Sequence, residues 1–163
     1  MYIKQKNLLA GMDKAFVKEL MAQTEKKQYE AGEIVYREGQ HSSRFYVLVK
    51  GCVKQVYGRD GNLVFTLNHA GEAFGWSSLL GRSTYAATAV CTDPTTLVQI
   101  DRMKFNRILE GDPVNGLLLV RRLGELLGER LDRTYQWMAA AQALDGAAVS
   151  DGTGQTMEMV APA

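Results

Sequence analysis

Between residues 25 and 100 the chain alternates apolar and polar residues in short runs, each closed by a turn after about ten residues. The runs fall at 27–30, 34–36, 45–49, 53–57, 63–67, a short one with Phe74, 86–91 and 95–100, and are rich in Val, Ile, Tyr and Phe. The turns carry Gly32, Gly39, Gly51, Asp60-Gly61, Gly71 and Asp93-Pro94. β-branched and aromatic residues at period two suit half-buried strands, and Asp-Gly between two such runs is a hairpin signal. About eight short, evenly spaced strands restrict the fold to a β-sandwich or a jelly-roll barrel, mainly β with flanking helices.

Helical patterns flank the strands. Residues 7–24 place Leu8, Leu9, Met12, Phe16, Val17, Leu20 and Met21 at helical spacing, which predicts a short lid on the core, with Asp13 as a cap after Gly11. Asp101 is placed to cap a helix over 102–109, stopped at Glu110-Gly111-Asp112. Pro113 suits the first turn of a long helix, 113–140, of about 40 Å at 1.5 Å per residue.

Leu117, Val120, Leu123, Leu127, Leu131 and Thr134 form one stripe of that helix, with Gly116, Gly124 and Gly128 beside it. A small barrel cannot cover so long a stripe. The expectation is therefore a homodimer through helix 113–140, the alternative being that the stripe lies on the β-core. Arg121, Arg122, Arg130 and Arg133 read as a solvated face paired with Glu125, Glu129 and Asp132. From Asp145 the chain is rich in Gly, Ala, Ser and Thr with no amphipathic period. The expected organisation is one domain over 1–142 and a disordered tail over 143–163.

Composition removes several classes of function. Nineteen Lys and Arg against eighteen Asp and Glu give no overall field toward nucleic acid or an anionic membrane. No apolar run approaches the ~20 residues a membrane span needs, and the N-terminus has no secretory apolar segment. Cys52 and Cys91 stand far apart, which argues against a disulfide framework or an iron–sulfur cluster and for a reducing cytoplasm. The two histidines, His41 and His69, have no histidine neighbour at ligand spacing, so neither a metal site nor catalysis is expected.

The stretch 71–90, GEAFGWSSLLGRSTYAATAV, carries the candidate site. A short strand carries Phe74, and Gly75 opens one helical turn through Trp76, Ser77, Ser78, Leu79 and Leu80. A polar loop with Arg82, Ser83 and Thr84 returns the chain to Tyr85, Ala86 and a small-residue strand. Backbone N–H groups at such a turn, with a nearby arginine, suit a small anion.

Residues 7–140 resemble the cyclic-nucleotide-binding domain of catabolite-activator-like regulators, cyclic-nucleotide-dependent kinases and gated channels. YEAGEIVYREGQ is similar to the family's first hairpin, FYVLVKGCVKQVY to its glycine-separated strand pair, and GRDGNLV to its DG turn. AGEAFGWSSLL resembles its phosphate-binding cassette and LVQIDRMKFNRIL its last strand and following helix. The resemblance implies a double-stranded β-helix (jelly-roll) with a long C-terminal dimerisation helix.

It also implies cAMP or another cyclic nucleotide as ligand, with two departures. The family's F-G-E glutamate, which accepts from the ribose hydroxyl, is replaced by Trp76, whose indole is a donor only. The arginine that pairs with the cyclic phosphate is replaced by Tyr85. Arg82, three residues earlier, is the candidate substitute if its loop folds back toward Gly75–Ser78. The winged helix-turn-helix of the family's transcription factors has no counterpart after the long helix, so direct DNA binding is not expected. Three readings stand: a stand-alone regulatory sensor with a degenerate cassette, a ligand-free dimeric interaction module, and a sensor of an aromatic or heme-type effector.

Overall fold

The computed structural model describes residues 8–58 and 63–151. Helix α1 (Lys14–Gln23) leads into strands β1 (Glu25–Tyr29), β2 (Ile34–Tyr36), β3 (Arg44–Lys50), β4 (Val53–Tyr57), β5 (Leu63–Leu67) and β6 (Ala73–Phe74). A 3-10 turn (Trp76–Ser78), β7 (Thr88–Cys91), β8 (Thr95–Asp101), α2 (Arg102–Gly111) and α3 (Pro113–Asp151) follow. The strands form two four-stranded antiparallel sheets, ordered β1-β8-β3-β6 and β2-β7-β4-β5. This is the jelly roll, one of the two folds that the period-two pattern allows and the one the family resemblance implies.

Alternation along each strand divides the apolar side chains. Tyr29, Tyr46, Leu48, Phe74 and Leu97 from one sheet meet Tyr36, Val53, Leu67, Ala89 and Cys91 from the other in a single core cluster. Phe45, the neighbour of Tyr46 in β3, points to the opposite side of its sheet. That outer side is where α2 packs on β8 and α1 packs on α2. Phe16, Leu20, Phe45, Ile100, Phe105 and Ile108 are each buried.

Strand β7 begins at Thr88, two residues later than the pattern places it, because residues 85–87 belong to the loop that closes over the roll. β4 pairs β5 through Tyr57↔Leu63, so the hairpin exists, and its Asp60-Gly61 turn lies outside the described residues. Asp101 caps α2, its carboxylate accepting from the amides of Met103 (2.8 Å) and Lys104 (3.2 Å). Asp13 precedes α1 but makes no capping bond to it. Its carboxylate is engaged elsewhere.

Helix α3 starts at Pro113 as expected and runs through Asp151, taking in the beginning of the stretch read as tail; residues 152–163 lie outside the described residues. The described chain divides into two compact units, residues 1–119 and 120–163. Within α3, Leu123 is buried, whereas Leu117, Val120, Leu131, Tyr135 and Met138 are exposed. No helix among the described residues is long and apolar enough to cross a membrane.

Candidate functional site

Strand β6 sets the site by pairing with β3, Phe74 opposite Tyr46 and Ala73 opposite Val47. The chain then turns at Gly75 with φ 79°, a left-handed conformation that a side chain resists. A Cβ at Gly75 would lie 2.9 Å from the Tyr46 ring and 3.0 Å from the Arg44 carbonyl, so glycine is required for space as well. The 3-10 turn follows. The Ser78 amide (3.1 Å) and hydroxyl (2.9 Å) both donate to the Gly75 carbonyl, and the Leu79 and Leu80 amides donate to that of Trp76. Ser77 and Ser78 are buried in this turn.

The returning loop is held on two sides. The Arg82 amide donates to the Ser77 carbonyl at 3.0 Å, closing the loop onto the turn. Facing it, Gly39 and Ser42 donate to the carbonyls of Tyr85 and Ser83, and the Tyr85 amide donates to Gln40, each at 2.9 Å. A bridge between His41 and Thr84 and a bond from the Ser42 hydroxyl to the Arg82 carbonyl complete this small ladder. Arg82, Ser83, Thr84 and Ala86 are exposed.

Tyr85 is aimed into the roll by that ladder and is 3% exposed. Its ring stacks on Tyr36 with centroids 3.8 Å apart and planes 14° from parallel. Its hydroxyl accepts from the Arg44 amide (3.0 Å) and donates to the Arg44 carbonyl (2.8 Å). Tyr36 in turn meets Tyr46 and Phe74, which stack on each other at 5.2 Å, and its hydroxyl accepts from Gln55 at 2.8 Å. Burial raises the Tyr46 phenol well above its ordinary range, the neighbouring Tyr85 raises it further, and Arg44 opposes the rise. The interior behind the turn is packed with aromatic rings of the chain itself.

The two aromatic departures read from the sequence go to opposite sides of β3. Trp76 meets Phe45 edge-on, centroids 5.0 Å apart, and its indole N–H donates to the Ala73 carbonyl at 3.1 Å. It lies on the outer side of the sheet; Tyr85, Phe74 and Tyr46 lie on the inner one. Arg82 does return to the turn, but through its backbone. Sequence reasoning did not pick out Tyr36, Tyr46, Ser42 or the Arg44 backbone as partners of Tyr85. The alternation that puts Tyr46 inside the roll was the available signal.

The site is thus a glycine-opened turn and a returning loop between β6 and β7 of a two-sheet roll. The chain belongs to the cyclic nucleotide-binding domain family, whose model matches residues 26–121. It is 32% identical over 133 residues to a cAMP-dependent protein kinase regulatory subunit of Blastocladiella emersonii, covering 77% of this chain and 32% of that protein. The chain thus spans about a third of that relative's length.

Two solved structures share the fold. A cyclic nucleotide-binding domain from Methylobacillus flagellatus superposes with a TM-score of 0.71 at 18% identity, covering 79% of this chain and 74% of that one. The regulatory subunit of a cAMP-independent protein kinase A from Trypanosoma brucei gives 0.59 at 21% identity, over 76% and 43%.

Proposed function

We propose that this chain is a regulatory, non-enzymatic domain that keeps the cassette backbone of its family but has closed the cassette with its own Tyr85. It acts through protein contacts, foremost with a second copy of itself, rather than by taking up cAMP in the usual way. The observation that carries this reading is the Tyr85 side chain, buried, stacked on Tyr36 and bonded through its hydroxyl to both backbone groups of Arg44. A charge-assisted contact of the kind the cassette arginine makes is worth ~1.5–3 kcal/mol, so replacing it with tyrosine weakens a cyclic phosphate by roughly ten- to a hundredfold. Trp76 supplies no acceptor for the ribose hydroxyl and is turned away from the interior. The exposed apolar residues of α3 support a dimer, and the free thiols of Cys52 and Cys91 suit a reducing cytoplasm.

Thermal unfolding with cAMP and cGMP tests the reading. A ligand held only by the folded state at a hundred times its Kd stabilises by about 2.7 kcal/mol, a shift of several degrees at this size. The expected result is no shift at micromolar nucleotide. A saturable shift at micromolar cAMP overturns the proposal and restores the sensor reading.

A further inference from the structure

Four hydrogen bonds converge on Asn115, which is 5% exposed in the first turn of α3. Its Oδ1 accepts from the Asp13 amide at 3.1 Å, and its Nδ2 donates to Asp13 Oδ2 at 2.9 Å and to Asp112 Oδ2 at 2.7 Å. Its own amide donates to Asp112 Oδ1 at 3.1 Å. The side-chain amide therefore uses its carbonyl and both its hydrogens.

The two carboxylates come from places far apart in sequence. Asp13 stands immediately before α1, and Asp112 is the residue that separates α2 from α3. Asp13 occupies a capping position yet forgoes the capping bond, because its carboxylate faces Asn115. The corner is also tight beyond the polar groups. A Cβ on Gly116 would lie 2.8 Å from the Leu109 carbonyl, so the end of α2 and the start of α3 are in backbone contact.

We infer that Asn115 is a clasp joining the start of α1 to the corner between α2 and α3, so that a change of angle at that corner is carried into α1. Few side chains could do this. An amide supplies one donor to each carboxylate and an acceptor to the Asp13 backbone, whereas an aspartate of the same shape sets three carboxylates against one another. The exposed face of α1, with Lys14, Lys18 and Met21, becomes a second surface that reports the state of the corner. This does not depend on whether the cassette takes a ligand.

Hydrogen exchange by mass spectrometry on the full chain tests it, comparing segments 14–23, 112–118 and 44–50. Asn115→Asp is expected to speed exchange in both 14–23 and 112–118 by about tenfold or more, the scale of one lost charge-assisted bond, and to leave 44–50 unchanged. Faster exchange confined to 112–118 overturns the clasp and leaves Asn115 a local cap of the corner. Asp13→Ala leaves every residue of the corner in place and decides the matter if Asn115→Asp loosens the whole fold. It is expected to speed exchange at 112–118, and protection there equal to wild type refutes the coupling.

Discussion

Tyr85 links the closure of the roll to the backbone of β3, and a single atom tests that link. Tyr85→Phe keeps the stack on Tyr36 but removes the hydroxyl that accepts from the Arg44 amide and donates to its carbonyl. Two part-buried backbone groups then lose a partner, which costs roughly 1 kcal/mol, read as a lower denaturation midpoint with unchanged slope. An unchanged midpoint would mean that water replaces the hydroxyl and that the closure is loose.

The phenols also set an alkaline limit. Burial, first among the causes, raises the folded-state pKa of Tyr46 and of Tyr29 above the ordinary value near 10. The unfolded chain then gives up protons that the folded one retains. The stabilisation is fully present below pH 10 and declines as the pH rises beyond it. Urea midpoints measured across that range should fall, and fall less steeply in Tyr46→Phe; equal slopes would remove Tyr46 as the source. From sequence the exchange of the family glutamate and arginine for Trp76 and Tyr85 was legible, but not where each ring goes. That depends on the Ser42–Ser83 and Gln40–Tyr85 ladder, formed between loops more than forty residues apart.

Local patterns fixed most elements before any packing was considered. Pro113 opens α3, Asp101 caps α2 and the strands, apart from the late start of β7, fall close to where period two puts them. Asp13 shows the limit of such reasoning, since the residue type suited a cap and a tertiary partner 102 positions away took the carboxylate. The glycines of α3 show it again. Gly116, Gly124 and Gly128 look alike in sequence, but a Cβ on Gly116 meets the Leu109 backbone, while Gly124 and Gly128 have nothing within 4 Å.

Substitution should separate them. Gly116→Ala is expected to destabilise by about 1–3 kcal/mol through overpacking against an immovable backbone. Gly124→Ala gains helix propensity, up to ~1 kcal/mol, in any state where no other helix lies against it. Chemical denaturation of the two variants at low protein concentration measures both. Equal effects would mean that the corner near Leu109 is not tightly packed.

At the scale of the molecule the question is what covers the apolar residues of α3. In the unit over 120–163, Val120, Leu131, Tyr135 and Met138 are exposed by 48–57%. A stripe of that kind on a long helix is satisfied by a matching helix from a second copy, and a twofold axis along it lets one set of residues serve both sides. Fully burying an exposed side chain contributes about 1.5–3 kcal/mol, and these are about half exposed, so four on each of two helices contribute a sum of the same order as the loss of translational and rotational freedom on pairing.

The expected state is a dimer at micromolar concentration in sedimentation equilibrium, with a Tm that rises with concentration. Leu131→Glu sets two carboxylates across the axis and should give a monomer whose Tm is independent of concentration. The exposed position of Leu131 argues against damage to the β-roll, and near-ultraviolet circular dichroism of the tyrosine cluster would register any. A wild-type chain that sediments as a monomer at those concentrations would leave the stripe for a different partner and remove self-association from the proposed function.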